Sequence, residues 1–149
     1  MSFKNTIWAG GAFTCFANAD VTEVPLASGQ TILPGSLAII SLGAAIVSGI
    51  PTVFQTPFVV LEDGAHRGGD VDTAFTAGQE AQLAFPRSGE TFNILVTAAN
   101  STSVGQEFAP NAGVLVPALP SDGTLNAQFI ALENTAASAS NRLVTFKKL

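Results

Sequence analysis

From Val24 to Leu61 the chain runs through 38 positions without one charged side chain. Pro34, Gly35, Ser36, Ser41, Gly43, Ser48, Gly49 and Pro51 interrupt it. No piece between them approaches the ~20 continuous apolar residues of a membrane-spanning helix. What remains are short apolar runs, Leu37–Ile40, Ala44–Val47 and Phe58–Leu61. Runs of four, rich in Ile, Val and Phe and bounded by turn residues, predict strands rather than helices. An antiparallel strand with a solvated face normally alternates apolar with charged residues. A charge-free set therefore has both faces covered, by the domain's own core or by a partner, and part of this stretch is expected to meet a partner.

The composition points the same way. Of the 149 residues 47% are hydrophobic and 11% charged, against roughly 25% charged in ordinary soluble domains. So few charges cover a monomer of this size poorly, and burial in an assembly is the simplest remedy. The formal net charge of −5 and pI near 4.5 exclude nucleic acid as the expected partner, since phosphate binding rewards clustered Lys and Arg. The single Cys15 cannot form an intramolecular disulfide, so no oxidising compartment is implied. Met1-Ser2-Phe3-Lys4 is not followed by the apolar run of a secretory signal, and no membrane association is expected.

Residues 1–20 read as an N-terminal arm or terminal strand, and 21–149 as a single β domain. Phe3, Ile7, Trp8, Phe13 and Phe16 surround Gly10-Gly11, which disfavours a helix. Phe3, Trp8 and Phe13 on such an arm suit docking onto a neighbour, although they could equally fill the domain's own core. Gly29-Gln30, Gly78-Gln79 and Gly105-Gln106 each predict a turn opening into a strand. Their unequal spacing excludes a solenoid or propeller repeat. Thr91–Thr97, Val114–Val116, Leu125–Leu132 and Arg142–Leu149 add further strands. The expected fold is all-β: one compact domain of about eight to ten short strands, barrel-like (a β-tulip) or a small sandwich, with an extended N-terminal arm.

Chemistry concentrates in the loop Glu62–Asp72, which carries Asp63, Arg67, Asp70 and the only histidine, His66. It lacks the alternating oxygen ligands of a calcium loop, and one His with one Cys is too few for a transition-metal site. Cys15 and His66 sit in no nucleophile motif, and no phosphate or dinucleotide loop is present. The chain is therefore expected to be no enzyme and to carry no cofactor or metal. Its charges are read as interface or solvated groups, with Phe3, Trp8, Phe13, Phe58, Glu62, Asp63, Arg67, Asp70, Asp72 and Arg87 as the candidate interface. Arg87, in the Pro86-Arg87-Ser88-Gly89 turn, would fix register against a carboxylate across such a contact.

Phe58–Asp63, Arg67–Gly78 and Ala84–Glu90, with Gly105-Gln106, Asp122–Leu125, Ala131–Asn134 and the Arg142–Leu149 strand, resemble the capsid decoration (cement) proteins of tailed bacteriophages over roughly residues 24–149. The resemblance implies a virion structural protein made in the bacterial cytoplasm. It would bind the outside of an assembled head through the major capsid protein, commonly as a homotrimer, and stabilise the shell. Two other readings remain: another phage structural β protein, such as a head fibre or tail component, and a carbohydrate- or ligand-binding β-sandwich.

Overall fold

Gly and Pro recur every few positions and keep the elements short. The computed structural model describes residues 7–10, 20–47, 57–62, 71–118 and 127–149, and all regular structure among them is β. Thirteen strands follow in order: β1 (Trp8–Gly10), β2 (Asp20–Pro25), β3 (Thr31–Ile32), β4 (Leu37–Ser41), β5 (Ala44–Val47), β6 (Phe58–Val60), β7 (Phe75–Thr76), β8 (Glu80–Phe85), β9 (Thr91–Val96), β10 (Glu107–Asn111), β11 (Val114–Pro117), β12 (Phe129–Ala131) and β13 (Arg142–Lys148). The all-β expectation holds. The strands outnumber the anticipated eight to ten because β3 and β7, of two residues each, are indistinguishable in sequence from the turns beside them, and because β1 lies in the segment read as an arm.

The strands form two small barrels in tandem. In the C-terminal half β9-β13-β12-β10-β11 is a ring, closed where β11 meets β9 in parallel at Leu115–Val96. In the N-terminal half the order is β2-β8-β6-β4-β5. Here the ends meet in a parallel bridge between Leu26 and Ala45, with Ala27 N donating to Ala45 O at 2.9 Å.

These halves repeat each other strand for strand and register for register. Residues of β2 to β5 recur 70 positions on in β9 to β11, those of β6 at 71 in β12, and those of β8 at 63 in β13. Thus the pair Val24–Ala81 becomes Ile94–Val144, Ile40–Ala45 becomes Pro110–Leu115, and Ala38–Phe58 becomes Phe108–Phe129. The bonds outside the ladders follow suit. Gly35 N donates to Val60 O at 2.8 Å, as Gly105 N does to Ala131 O at 2.9 Å. The ribbon pair Ile32–Phe75 has its counterpart in the isolated bridge Thr102–Thr135.

The two interiors are filled differently. The C-terminal barrel holds Phe108, Leu115, Val144 and Phe146, all buried, with Phe108 and Phe146 edge-to-face at 5.1 Å between ring centres. At the first three of these positions the N-terminal barrel has only Ala38, Ala45 and Ala81. Ile32 and Phe75, carried in on the β3–β7 ribbon, supply the missing volume. Their counterparts Thr102 and Thr135 instead bond each other through Oγ1 at 2.9 Å. Close packing demands such an exchange, since an unfilled interior forfeits its contacts.

The outer row of the N-terminal barrel, Leu37, Val59 and Ala84, is also buried and joins the C-terminal core in one apolar cluster. This accounts for part of the uncharged stretch. Leu37 and Val59 face the second barrel while Ala38 and Val60 face the interior of the first, so both faces are covered within the chain at these positions, whereas Ile40, Ser41 and Leu42 are exposed. β13 lies between β9 and β12, so Lys147 and Lys148 sit on a strand paired on both sides and not at a sheet edge.

Candidate interaction surface

Turns define the surface, and their chemistry is local. In Thr76–Gln79, Ser103–Gln106 and Arg87–Glu90 the glycine at the third position has a φ of +83°, +87° and +90°. Each fourth residue's N–H donates to the first residue's carbonyl, at 2.9 to 3.1 Å. The side chain of that fourth residue reaches back: Gln79 Oε1, Gln106 Oε1 and Glu90 Oε2 accept from the N–H of Thr76, Ser103 and Arg87, at 2.8, 3.1 and 3.0 Å. Both backbone groups of the first residue are thereby satisfied. The three Gly-Gln pairs form turns, as their sequence suggested; at Gly78-Gln79 and Gly105-Gln106 the Gln side chain also locks the turn, and Gly89-Glu90 does the same.

Of the anticipated interface residues, Phe3, Phe13, Asp63, Arg67 and Asp70 lie outside the described residues, as do Cys15 and His66; Trp8 is described only as a backbone position pairing with Phe92. The rest are not gathered in one place. Glu62 is half-buried, and its Oε2 accepts the Ile7 N–H at 2.9 Å, tying the N-terminal segment to the end of β6. Its counterpart Glu133 accepts the Thr145 N–H at 2.8 Å. Phe58 packs edge-to-face on half-exposed Phe85, ring centres 5.5 Å apart. Arg87 is exposed on the turn that Ser88 Oγ and Gly89 N tie to Leu149 and Lys148. Asp72 is exposed beside an open cleft of about 780 Å³, bordered by Leu33, Leu95, the loop 133–141 and Arg142.

Arg142 is the cation that orders this cleft. Its guanidinium donates to the carbonyls of Asn100 (2.7 Å) and Thr97 (3.4 Å) and to Thr135 Oγ1. Partial burial lowers its pKa. The group serves as a clamp on loops of the C-terminal barrel rather than as a reactive base. Among the described residues no three His, Cys, Asp or Glu side chains are grouped as metal ligands would be, and no helix is long and apolar enough to cross a membrane.

The surface features that sequence reading missed are apolar and sit on turns. Leu42, at the tip of the β4–β5 hairpin, is fully exposed, with a positive φ of +51°. Val104 is 62% exposed on the Ser103–Gln106 turn, and Leu132 is 42% exposed at the end of β12. A signal for them existed. Phe58-Val59-Val60-Leu61-Glu62 returns as Phe129-Ile130-Ala131-Leu132-Glu133, which marks the duplication and makes Leu132 the partner of half-buried Leu61. No family model matches the chain, and no curated protein matches it.

Proposed function

We propose that this protein is a structural component of a bacteriophage virion that binds the outer surface of the assembled head and cements it. Its partners in this reading are the major capsid protein and further copies of itself, and it performs no catalysis. The carrying observation is a set of large apolar side chains exposed at turns and strand ends of a double barrel: Leu42, Val104, Leu132 and Phe85, on a chain with 11% charged residues. Fixed apolar points on stiff β scaffolding bind with little ordering cost. The sequence likeness to decoration proteins supports the choice of partner. A cement acts by mass action, since a ligand that prefers the closed shell stabilises it.

The test is addition of purified protein to expanded, undecorated phage heads. Saturable binding with a higher disruption temperature is expected. Absence of binding sinks the reading, and attachment to tails in its place would favour a tail or fibre component. Charge reversal at Arg87 should weaken head binding, whereas His66→Ala should leave it unchanged.

A further inference from the structure

The contact between the two halves has an unoccupied counterpart. In the chain, Pro34 and Gly35 of the Leu33–Ser36 turn are buried, and the row Leu37, Val59 and Ala84 of the N-terminal barrel is covered by the C-terminal barrel, while Leu33 is exposed. Gly35 O accepts from Leu95 N at 2.9 Å, and Leu37 N donates at 2.7 Å to Gly113 O in the β10–β11 hairpin tip. Seventy positions on, the same turn of the C-terminal barrel, Ser103–Gln106, faces outward. A Cβ on Gly105 would meet open space, whereas one on Gly35 would meet Leu143, Asn93 and Ile7. Glu107, Ile130 and Lys147 stand at the places of Leu37, Val59 and Ala84, so this row carries one charge of each sign, and exposed Val104 and Leu132 beside it supply the apolar surface.

The other side of the contact is duplicated too. The tip Ala112-Gly113 that docks on Leu37 has its counterpart in Leu42-Gly43, with the same pair of positive φ angles, +51° and +83° against +51° and +79°. Gly113 is buried, while Leu42 is fully exposed and Gly43 opens onto empty space. A repeat that presents both halves of an interface, one at each end, is built to stack.

We infer that the chain self-associates head to tail, the Leu42-Gly43 tip of one copy docking beside the Val104-Gly105 turn of the next. The occupant of each surface is a second copy of this chain, with the hairpin tip of one barrel on the turn of the other as the template. The Gly113 O contact can recur at Gly43 O, while the Gly35–Leu95 bond cannot, because Pro25 stands at the place of Leu95 and has no N–H. Such a contact is heterologous: the patches differ, and the assembly is a ring if the rotation closes and a filament if it does not. Such stacking deepens the self-association named in the proposed function and shares Leu42 and Val104 with it. Its test contains no phage heads, so its failure is distinguishable from failure of head binding.

Light scattering with two variants tests it. Leu42→Asp and Val104→Asp change exposed side chains, so each should remain folded by circular dichroism. Wild type should scatter as an oligomer. Each variant should run as a monomer, with association weakened at least tenfold. An equimolar mixture of the two should form dimers, because one intact tip still meets one intact turn. A monomeric wild type at millimolar concentration overturns the inference, as does a variant that keeps the wild-type mass, or a mixture that stays monomeric. A photo-crosslinker at position 42 supplies an independent reading: it should label the C-terminal half of a partner near Val104, and labelling confined to other segments refutes the arrangement.

Discussion

The carbonyl of Gly35 accepts a hydrogen bond from the Leu95 amide at 2.9 Å, joining the two barrels backbone to backbone. Gly35 can approach so closely because it has no Cβ and adopts a φ of +84° in the Leu33–Ser36 turn. Ala at this position would clash with the Leu143 side chain and crowd Asn93 O and Ile7 Cδ1. Gly35→Ala should therefore cost about 2–4 kcal/mol, combining left-handed strain with overpacking. Gly29→Ala, at φ +77° with open space around it, should cost only about 1 kcal/mol. Urea denaturation of the two variants measures the difference, and equal losses would mean that the inter-barrel approach is slack.

Ala112 holds a φ of +51° in a two-residue hairpin turn ahead of Gly113. Asn tolerates this region far better than Ala, and Asn-Gly is the favoured pair for such turns. Ala112→Asn should raise stability by about 0.5–1 kcal/mol, read as a higher urea midpoint at unchanged slope.

The exchange of volume between ribbon and barrel wall predicts non-additivity. Phe75→Ala should cost roughly 3–5 kcal/mol, and Ala38→Leu alone roughly 1–3 kcal/mol by overpacking. Together they should cost less than the sum, because the new leucine enters space that Phe75 left in the cluster they share. A double-mutant cycle by thermal unfolding decides it; strict additivity would separate the two sites.

Arg142 uses a planar fork to reach Asn100 O, Thr97 O and Thr135 Oγ1 at once. Lysine offers one compact donor group in its place. Arg142→Lys should lose about 1–2 kcal/mol and speed hydrogen exchange in the loop 97–103.

Lys148 lies over the Phe129 ring, Nζ 5.8 Å from its centre, and burial lowers its pKa. Between that lowered value and the ordinary lysine value the unfolded chain holds the additional proton. Stability should therefore rise with pH across this alkaline window and level off once the unfolded lysine is also neutral. Lys148→Met should remove that rise, as denaturation midpoints over a pH series would show.

Local chemistry was legible in the chain itself. The turns at Gly29, Gly78, Gly89 and Gly105 need a residue at ease with positive φ, and the sequence shows glycine there. The apolar runs at Leu37, Ala44 and Phe58 are strands as read, and the alternation of Val144 and Phe146 with Leu143 and Thr145 places the first pair in the barrel. The strands β2 and β10 were less legible, since Glu23, Glu107 and Pro110 break the apolar pattern, and only pairing of β2 with β8, and of β10 with β11 and β12, makes them strands.

What only the tertiary structure decided is which apolar residues are spent inside and which are left outside. Pro34 and Val104 hold the same place in the two repeats, yet one is buried and the other 62% exposed. The difference arises from the second barrel, which covers this face of the first, while its own corresponding face is open among the described residues. Residue type sets the free energy gained by burial; position within a duplicated fold sets whether the chain itself can supply the cover. The sequence alone determined strands, turns and a shortage of charge; the fold buried Leu37 and Val59 of the uncharged stretch in a seam within the molecule and left Leu42 of that same stretch exposed, together with Val104 and Leu132.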